Sequence, residues 1–158
     1  MPGLFYIMIL SIDTGWAKFG WAKLDSDGNL VAYGVERFKE KDHIKRLNNI
    51  RLRATSLMDD EIDTVLIEEP HFWGKDDAMK RHIHFLFFAF GALATIHPNT
   101  IAIKVSQWKS RRAWPKVKNQ KKYMQALAKE QLGIDLPQDA CDAFWMGRYY
   151  LSIKGDPK

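Results

Sequence analysis

Asp13 follows the apolar run Phe5–Ile12, Glu68 follows Val65-Leu66-Ile67, and Asp139 and Asp142 stand three residues apart. A carboxylate that closes a buried segment loses its hydration, and several together repel one another unless a cation lies among them. Oxygen-only donors suit hard cations, Mg2+ or Mn2+. Two such ions about 3.5–4 Å apart activate a water and stabilise the leaving oxygen of a phosphodiester, chemistry that draws three or four carboxylates from distant parts of a chain. Singly, each acid has a structural account: Asp13 as a turn former ahead of Gly15, Asp139 as a helix N-cap or a partner of the helix dipole. Jointly they are harder to dismiss, because all three segments are expected at one sheet edge. Glu69 complicates the choice. Side chains alternate along a strand, so only one of Glu68 and Glu69 can join the cluster; Glu68, directly after the apolar run, is the candidate.

The second feature is a charge run. The chain has 158 residues and a net charge of +5, yet Lys104, Lys109, Arg111, Arg112, Lys116, Lys118, Lys121 and Lys122 lie in one stretch with no acid among them, so the remainder is slightly acidic. Trp108 and Trp114 sit inside this stretch. Cations interleaved with flat rings suit a nucleic-acid strand, although a solvated loop beside a helix is the plainer reading.

The elements that must position these residues follow from the hydrophobic periods. Phe5–Ile12 reads as a strand buried on both faces, not as a signal peptide, since Met1 to Ile12 has no basic leader and no cleavage site. Phe19–Leu24 and Leu30–Phe38 read as strands about the turn Asp25-Ser26-Asp27-Gly28-Asn29, giving an antiparallel meander. Ile44, Leu47, Ile50, Ala54, Leu57 and Met58 recur at helical spacing behind Asp42 as N-cap. Thr64–Glu68 is a short strand. A long helix is expected from Asp76 or Asp77 to about Ile96, with Met79, Ile83, Leu86, Phe87 and Phe90 on its apolar face. Thr100–Val105 reads as a fifth strand, Asn119–Leu132 as a helix stopped by Gly133, and a last helix carries Asp139 to about Ser152. The expectation is an α/β chain, one domain over residues 1–158, with a mixed five-stranded sheet flanked by helices. That order resembles the ribonuclease H-like fold.

Three motifs carry a closer resemblance. Ile9-Leu10-Ser11-Ile12-Asp13-Thr14-Gly15, Val65-Leu66-Ile67-Glu68 and Gln138-Asp139-Ala140-Cys141-Asp142-Ala143 resemble, in this order, the acidic motifs of RuvC-type Holliday junction resolvases. The short, divergent chain suggests a phage or other mobile-element member. The resemblance implies a homodimer that binds branched DNA, a four-way junction, and makes paired symmetric nicks by Mg2+- or Mn2+-dependent hydrolysis. It implies that Asp13, Glu68, Asp139 and Asp142 are the metal ligands. It also implies a catalytic lysine near the scissile phosphate, for which Lys118, Lys121 and Lys122 compete and Lys121 is favoured. Lys109, Arg111 and Arg112 would grip the DNA backbone, with Lys116, Lys118 and Lys122 beside them. The family often has a phenylalanine wedge shortly after the glutamate; the matching position here is His71, with Phe72 and Trp73 next. The glycine-rich spacing usual before the family's basic helix is absent, and Ser110 to Lys118 instead holds extra basic residues, Trp114 and Pro115.

Other features bound the function. Cys141 is the one cysteine, so no internal disulfide forms and a reducing, cytoplasmic setting is expected. No apolar run reaches membrane-spanning length, so no membrane partner is expected. His82 and His84, two apart on a helix, point to different faces and are not expected to share an ion. The phenylalanines of the long helix fit either a central buried helix or a dimer interface. Trp108 is expected to pack on the sheet, and Cys141 to be a small buried residue rather than a nucleophile. Three rival readings are a ribonuclease H or flap nuclease on the same fold, a non-catalytic DNA-binding module, and an actin-like nucleotide-binding protein, for which no second phosphate motif is present. If the basic stretch contacts phosphates, replacing Arg111 and Arg112 together with alanine lowers affinity and flattens the log–log salt dependence of binding by about one per lost contact. An unchanged slope in a salt titration would show that neither arginine meets phosphate.

Overall fold

In a computed structural model, residues 7–71, 77–110 and 114–155 are described, with the side chains of 77–81 excepted. Strands β1 (Met8–Asp13), β2 (Lys18–Asp25) and β3 (Leu30–Arg37) form an antiparallel meander, and β4 (Ile62–Glu69) and β5 (Thr100–Lys104) extend it in parallel, giving the order β3-β2-β1-β4-β5. The helices are α1 (His43–Ser56), α2 (Asp77–Leu93), the single turn α3 (Val105–Trp108), α4 (Gln120–Leu132) and α5 (Gln138–Lys154). The mixed five-stranded sheet flanked by helices is the arrangement expected from the hydrophobic periods.

The alternation of β1 decides which layer meets which face. Met8, Leu10 and Ile12 join Phe19, Ile50, Ala54, Val65, Ile67, Ala89 and Leu93 in the core beneath α1 and α2. Ile9 joins Leu24, Leu66, Ile103, Trp108, Met124, Phe144 and Met146 in the core beneath α4 and α5. Asp13 has the parity of Ile9, and Glu68 that of Leu66, so both acids belong to the α5 face, while Glu69 falls on the other. Both cores are built from aliphatic and aromatic side chains, and their burial from water is the main force holding the layers together.

Several boundaries differ from expectation for local reasons. β5 stops at Lys104 because the Lys104 backbone N–H donates to Gln107 Oε1 at 2.8 Å, which turns Val105 into the start of α3. Helix α2 ends at Leu93 rather than near Ile96, and the start at Asp76 lies outside the described residues. Its core-facing residues include Ala89, Phe90 and Leu93, at helical spacing, while Phe87 is 46% exposed. Ile44 is likewise exposed, one turn ahead of where α1 meets the sheet. Asp42 caps α1, accepting from the Lys45 N–H at 2.8 Å, and α4 runs from Asn119 as cap to Gly133 at φ +72°.

Helix α5 lies close across β1 and β2, and two glycines permit it. A Cβ at Gly20 would stand 2.1 Å from the Asp139 carbonyl carbon and 2.5 Å from the Ala140 nitrogen. A Cβ at Gly147 would stand 2.8 Å from Leu24 Cδ1. Gly20 faces Asp13 across the β1–β2 ladder, so the bare backbone there lets the first turn of α5 approach the end of β1. Because the Gly20 clash is with main chain rather than a flexible side chain, Gly20→Ala is expected to cost about 1–3 kcal/mol of unfolding free energy in a urea titration, as overpacking does. A variant as stable as the parent would show that α5 is free to lift.

Candidate active site

The Ile12–Ile67 pair is the last in the parallel β1–β4 register, and one residue further Asp13 lies beside Glu68. Asp139 and Asp142 enter from above, on the first turns of α5. Pro137 precedes α5 and supplies no side-chain cap; Asp139 is not the N-cap but lies in the first turn, where the helix dipole favours an anion. Thus the four acids, carried by three separate stretches, meet at one corner of the α5 face.

The corner is a buried concentration of negative charge. Asp13 is held well above the usual carboxylate range, first by burial and then by the charges of Glu68 and Asp142. Glu68 is also raised by burial, against the pull of Lys109 and of hydrogen bonds from Trp108 and Asp13. Asp142 is raised by burial, against its pairing with Lys109 and its hydrogen bond from Gln138, with Lys121 acting in the same sense. The contacts explain how the acids are held. Lys109 Nζ reaches Asp142 Oδ2 at 3.1 Å and lies 4.5 Å from the centroid of the Trp108 ring. Gln138 Nε2 donates to Asp142 Oδ1 at 3.0 Å, and Lys18 Nζ reaches Asp139 Oδ2 at 2.7 Å. Buried Trp108 donates its indole N–H to Glu68 Oε2 at 2.9 Å. Among the described residues no three carboxylate, histidine or cysteine side chains converge closely enough to share an ion as they stand. Each of the two α5 acids is paired with an ammonium group, Asp139 with Lys18 and Asp142 with Lys109. An all-oxygen set in which Asp13, Glu68 and Asp142 are held above the ordinary carboxylate range is chemically suited to a hard divalent cation, whose charge would favour their ionised state.

Lys109, expected to grip the DNA backbone, pairs with Asp142 in the carboxylate corner. Lys116, Lys118, Lys121 and Lys122 are exposed on the approach to α4 and in its first turn. Phe72, Trp73, Arg111 and Arg112 lie outside the described residues. Trp108 packs in the core as expected, but its bond to Glu68 was not read from the sequence. Neither were the roles of Lys18 and Lys109, whose distance along the chain from their partners leaves no local signal. Gln138 had one: it stands four residues before Asp142 on a helix, a spacing at which the two side chains meet. Cys141 is buried with its thiol pushed up to about 12, by burial and then by Asp142, so it is a poor nucleophile. His84 packs against Phe85, with ring centroids 4.0 Å apart.

The architecture is of the ribonuclease H-like class. Within that class, the chain is similar to Thermus thermophilus RuvC, with a TM-score of 0.71 and 16% identity over 93% of this chain and 96% of that one. T. thermophilus RuvC in complex with a Holliday junction substrate gives a TM-score of 0.70 and 17% identity over 92% and 96% of the two chains. The fowlpox virus resolvase, in a complex with substrate Holliday junction DNA, gives 0.53 and 18% over 94% and 99%. No family model and no curated protein sequence matches the chain. Across so wide a sequence gap, what is shared is the fold.

The raised acids predict a stability signature. A carboxylate whose folded pKa lies above its unfolded value binds more protons when folded, so metal-free stability falls as pH rises above the ordinary carboxylate range of about 4. Asp13→Asn removes one such charge. In chelator at neutral pH the variant is expected to melt above the parent, with the gap closing in acid, and Mg2+ is expected to raise the melting temperature of the parent much more than that of the variant. A variant that melts lower in chelator, with no Mg2+ effect on either protein, would contradict this account of the corner.

Proposed function

We propose that this chain is a divalent-metal-dependent endonuclease that resolves four-way DNA junctions. The observation that carries the reading is the meeting of Asp13, Glu68, Asp139 and Asp142 at one corner of a fold similar to that of proteins seen with Holliday junction DNA. The four acids would hold Mg2+ or Mn2+, which supplies an activated water and a stabilised leaving oxygen when bound.

The chain's own residues have distinct parts in this reading. Trp108, rigid in the core, fixes the orientation of Glu68 through its indole N–H. Gln138 orients Asp142 in the same way from one turn earlier on α5. Lys109 balances the charge of Asp142 and would meet a phosphate that enters beside it, so it joins Lys121 as a candidate for the catalytic lysine. Lys116, Lys118 and Lys122 would bind the backbone as it approaches, with Arg111, Arg112, Phe72 and Trp73 as further DNA contacts.

A homodimer fits a substrate with two equivalent strands to cut. The surface that supports it is on α2, where Phe87 and Phe88 are exposed beside Phe85, itself stacked on Trp16 with centroids 4.9 Å apart. Contiguous exposed apolar patches mark association surfaces, and adjacent Phe87 and Phe88 would contribute to one. Among the described residues no helix is long and apolar enough to cross a membrane.

The deciding experiment sets a labelled four-way junction beside a matched duplex, a flap and an RNA–DNA hybrid, each with Mg2+, Mn2+ and chelator. Metal-dependent paired nicks confined to the junction are expected, abolished in Asp13→Asn and Glu68→Gln with junction binding kept. Trp108→Phe, which keeps a ring but loses the bond to Glu68, is expected to lower cutting about 10–100-fold, as loss of a ligand-orienting partner does. Cutting of the hybrid alone would move the reading to a ribonuclease H, and binding with no cutting of any substrate would move it to a DNA-binding module.

A further inference from the structure

A cavity of about 370 Å³ lies between α4 and α5, walled by Trp108, Trp114, Tyr123, Trp145, Arg148 and Tyr149. That volume falls within the range of about 300–1,000 Å³ over which proteins take small planar ligands. The polar atoms of its indoles are already used. Trp108 Nε1 donates to Glu68, Trp114 Nε1 to the Trp108 carbonyl at 2.8 Å, and Trp145 Nε1 to the Met124 carbonyl at 3.1 Å. The indoles therefore offer an occupant no free N–H, and with Trp108 and Trp145 buried the accessible rings are those of half-buried Trp114 and exposed Tyr123. Trp114 stands at 83° to Trp145 and 87° to Tyr123, so neither pair stacks face to face.

The cavity is not isolated from the acidic corner. A smaller cleft of about 120 Å³ is lined by Lys109, Lys116, Trp114 and Pro115, and the larger cavity shares its Trp114 and Pro115. Lys109 is the residue that pairs with Asp142. Carboxylate corner, cationic cleft and aromatic cavity thus adjoin one another through Lys109 and Trp114. Arg148 is the one cation among the residues that line the aromatic cavity, and Lys109 and Lys116 line the adjoining cleft.

We propose that the cavity receives one unstacked nucleobase of the DNA strand whose backbone passes the acidic corner. The proposal rests on the nuclease reading above and deepens it by naming a base subsite. Charge complementarity selects this occupant: the cleft lysines match phosphates, and the ring walls match a base. Stacking on aromatic side chains tolerates any base, because every base has a π face. Extruding a base costs least where pairing is already interrupted, so the subsite favours a branch point over continuous duplex.

The test is an abasic walk. A set of four-way junctions, each lacking one base near the branch, is titrated with the parent protein and with Tyr123→Ala in chelator, so that binding is read without cutting. One position is expected at which loss of the base weakens parent binding about tenfold, the size of one stacking contact. At that position the penalty vanishes in Tyr123→Ala and survives in Tyr123→Phe, which keeps the ring. Tyr123 is 36% exposed, so its truncation leaves the core intact, and a melting curve verifies this. A walk with no such position, or with the same penalty in Tyr123→Ala, overturns the subsite. If junction binding and metal-dependent cutting persist in that case, the nuclease reading stands without it. A protein that binds no branched DNA removes both.

Discussion

Like charges do not gather in a poorly hydrated corner unless the rest of the molecule forces them together. Here the forcing is done by the contact between α5 and the β1–β2 ladder. Gly20 removes the side chain that would hold α5 away, and the small Gly147 lets the helix settle on Leu24 further along. The apolar flank of α5, with Ala143, Phe144 and Met146 in the core, is the gain that offsets the electrostatic cost at its first turn. Asp139 and Asp142 stand beside Asp13 and Glu68 because the rest of their helix is buried, not because the acids attract.

The cost that remains is met by four polar side chains around the corner. Lys18 and Lys109 each neutralise one α5 acid, Trp108 satisfies Glu68, and Gln138 takes the second oxygen of Asp142. These partners come from β2, from the turn after β5 and from α5 itself. Asp13 is held well above the usual carboxylate range by its burial and by the charges of Glu68 and Asp142. Buried carboxylates held together in this way cost stability wherever they are ionised.

Trp108 links the two regions of chemical interest. Its N–H is committed to Glu68, its ring lies under Lys109, and its carbonyl takes the N–H of Trp114. A single-turn helix after β5 places it, and that helix exists because Gln107 captures the Lys104 backbone N–H. A local capping contact thereby connects the carboxylate corner with the aromatic cavity between α4 and α5.

The strands and helices were legible in the sequence because each buries one periodic face, and alternation showed that only one of Glu68 and Glu69 could join the other acids, with Glu68 chosen because it directly follows the apolar run. The acids were legible because an ionisable group at the end of an apolar run is conspicuous. The one-turn helix at Val105, the exposure of Phe87 and the early end of α2 were not, since an apolar residue in a short run fits strand, helix or surface equally well. Least legible were the partners of the acids. Lys109 lies 33 residues from Asp142 and Trp108 lies 40 from Glu68, and no local pattern records a contact across such distances. Composition and period determined which elements form and which residues carry charge. Only the packing of α5 and α3 onto the sheet decided which charges meet, because that depends on where backbones can approach, as they do at Gly20.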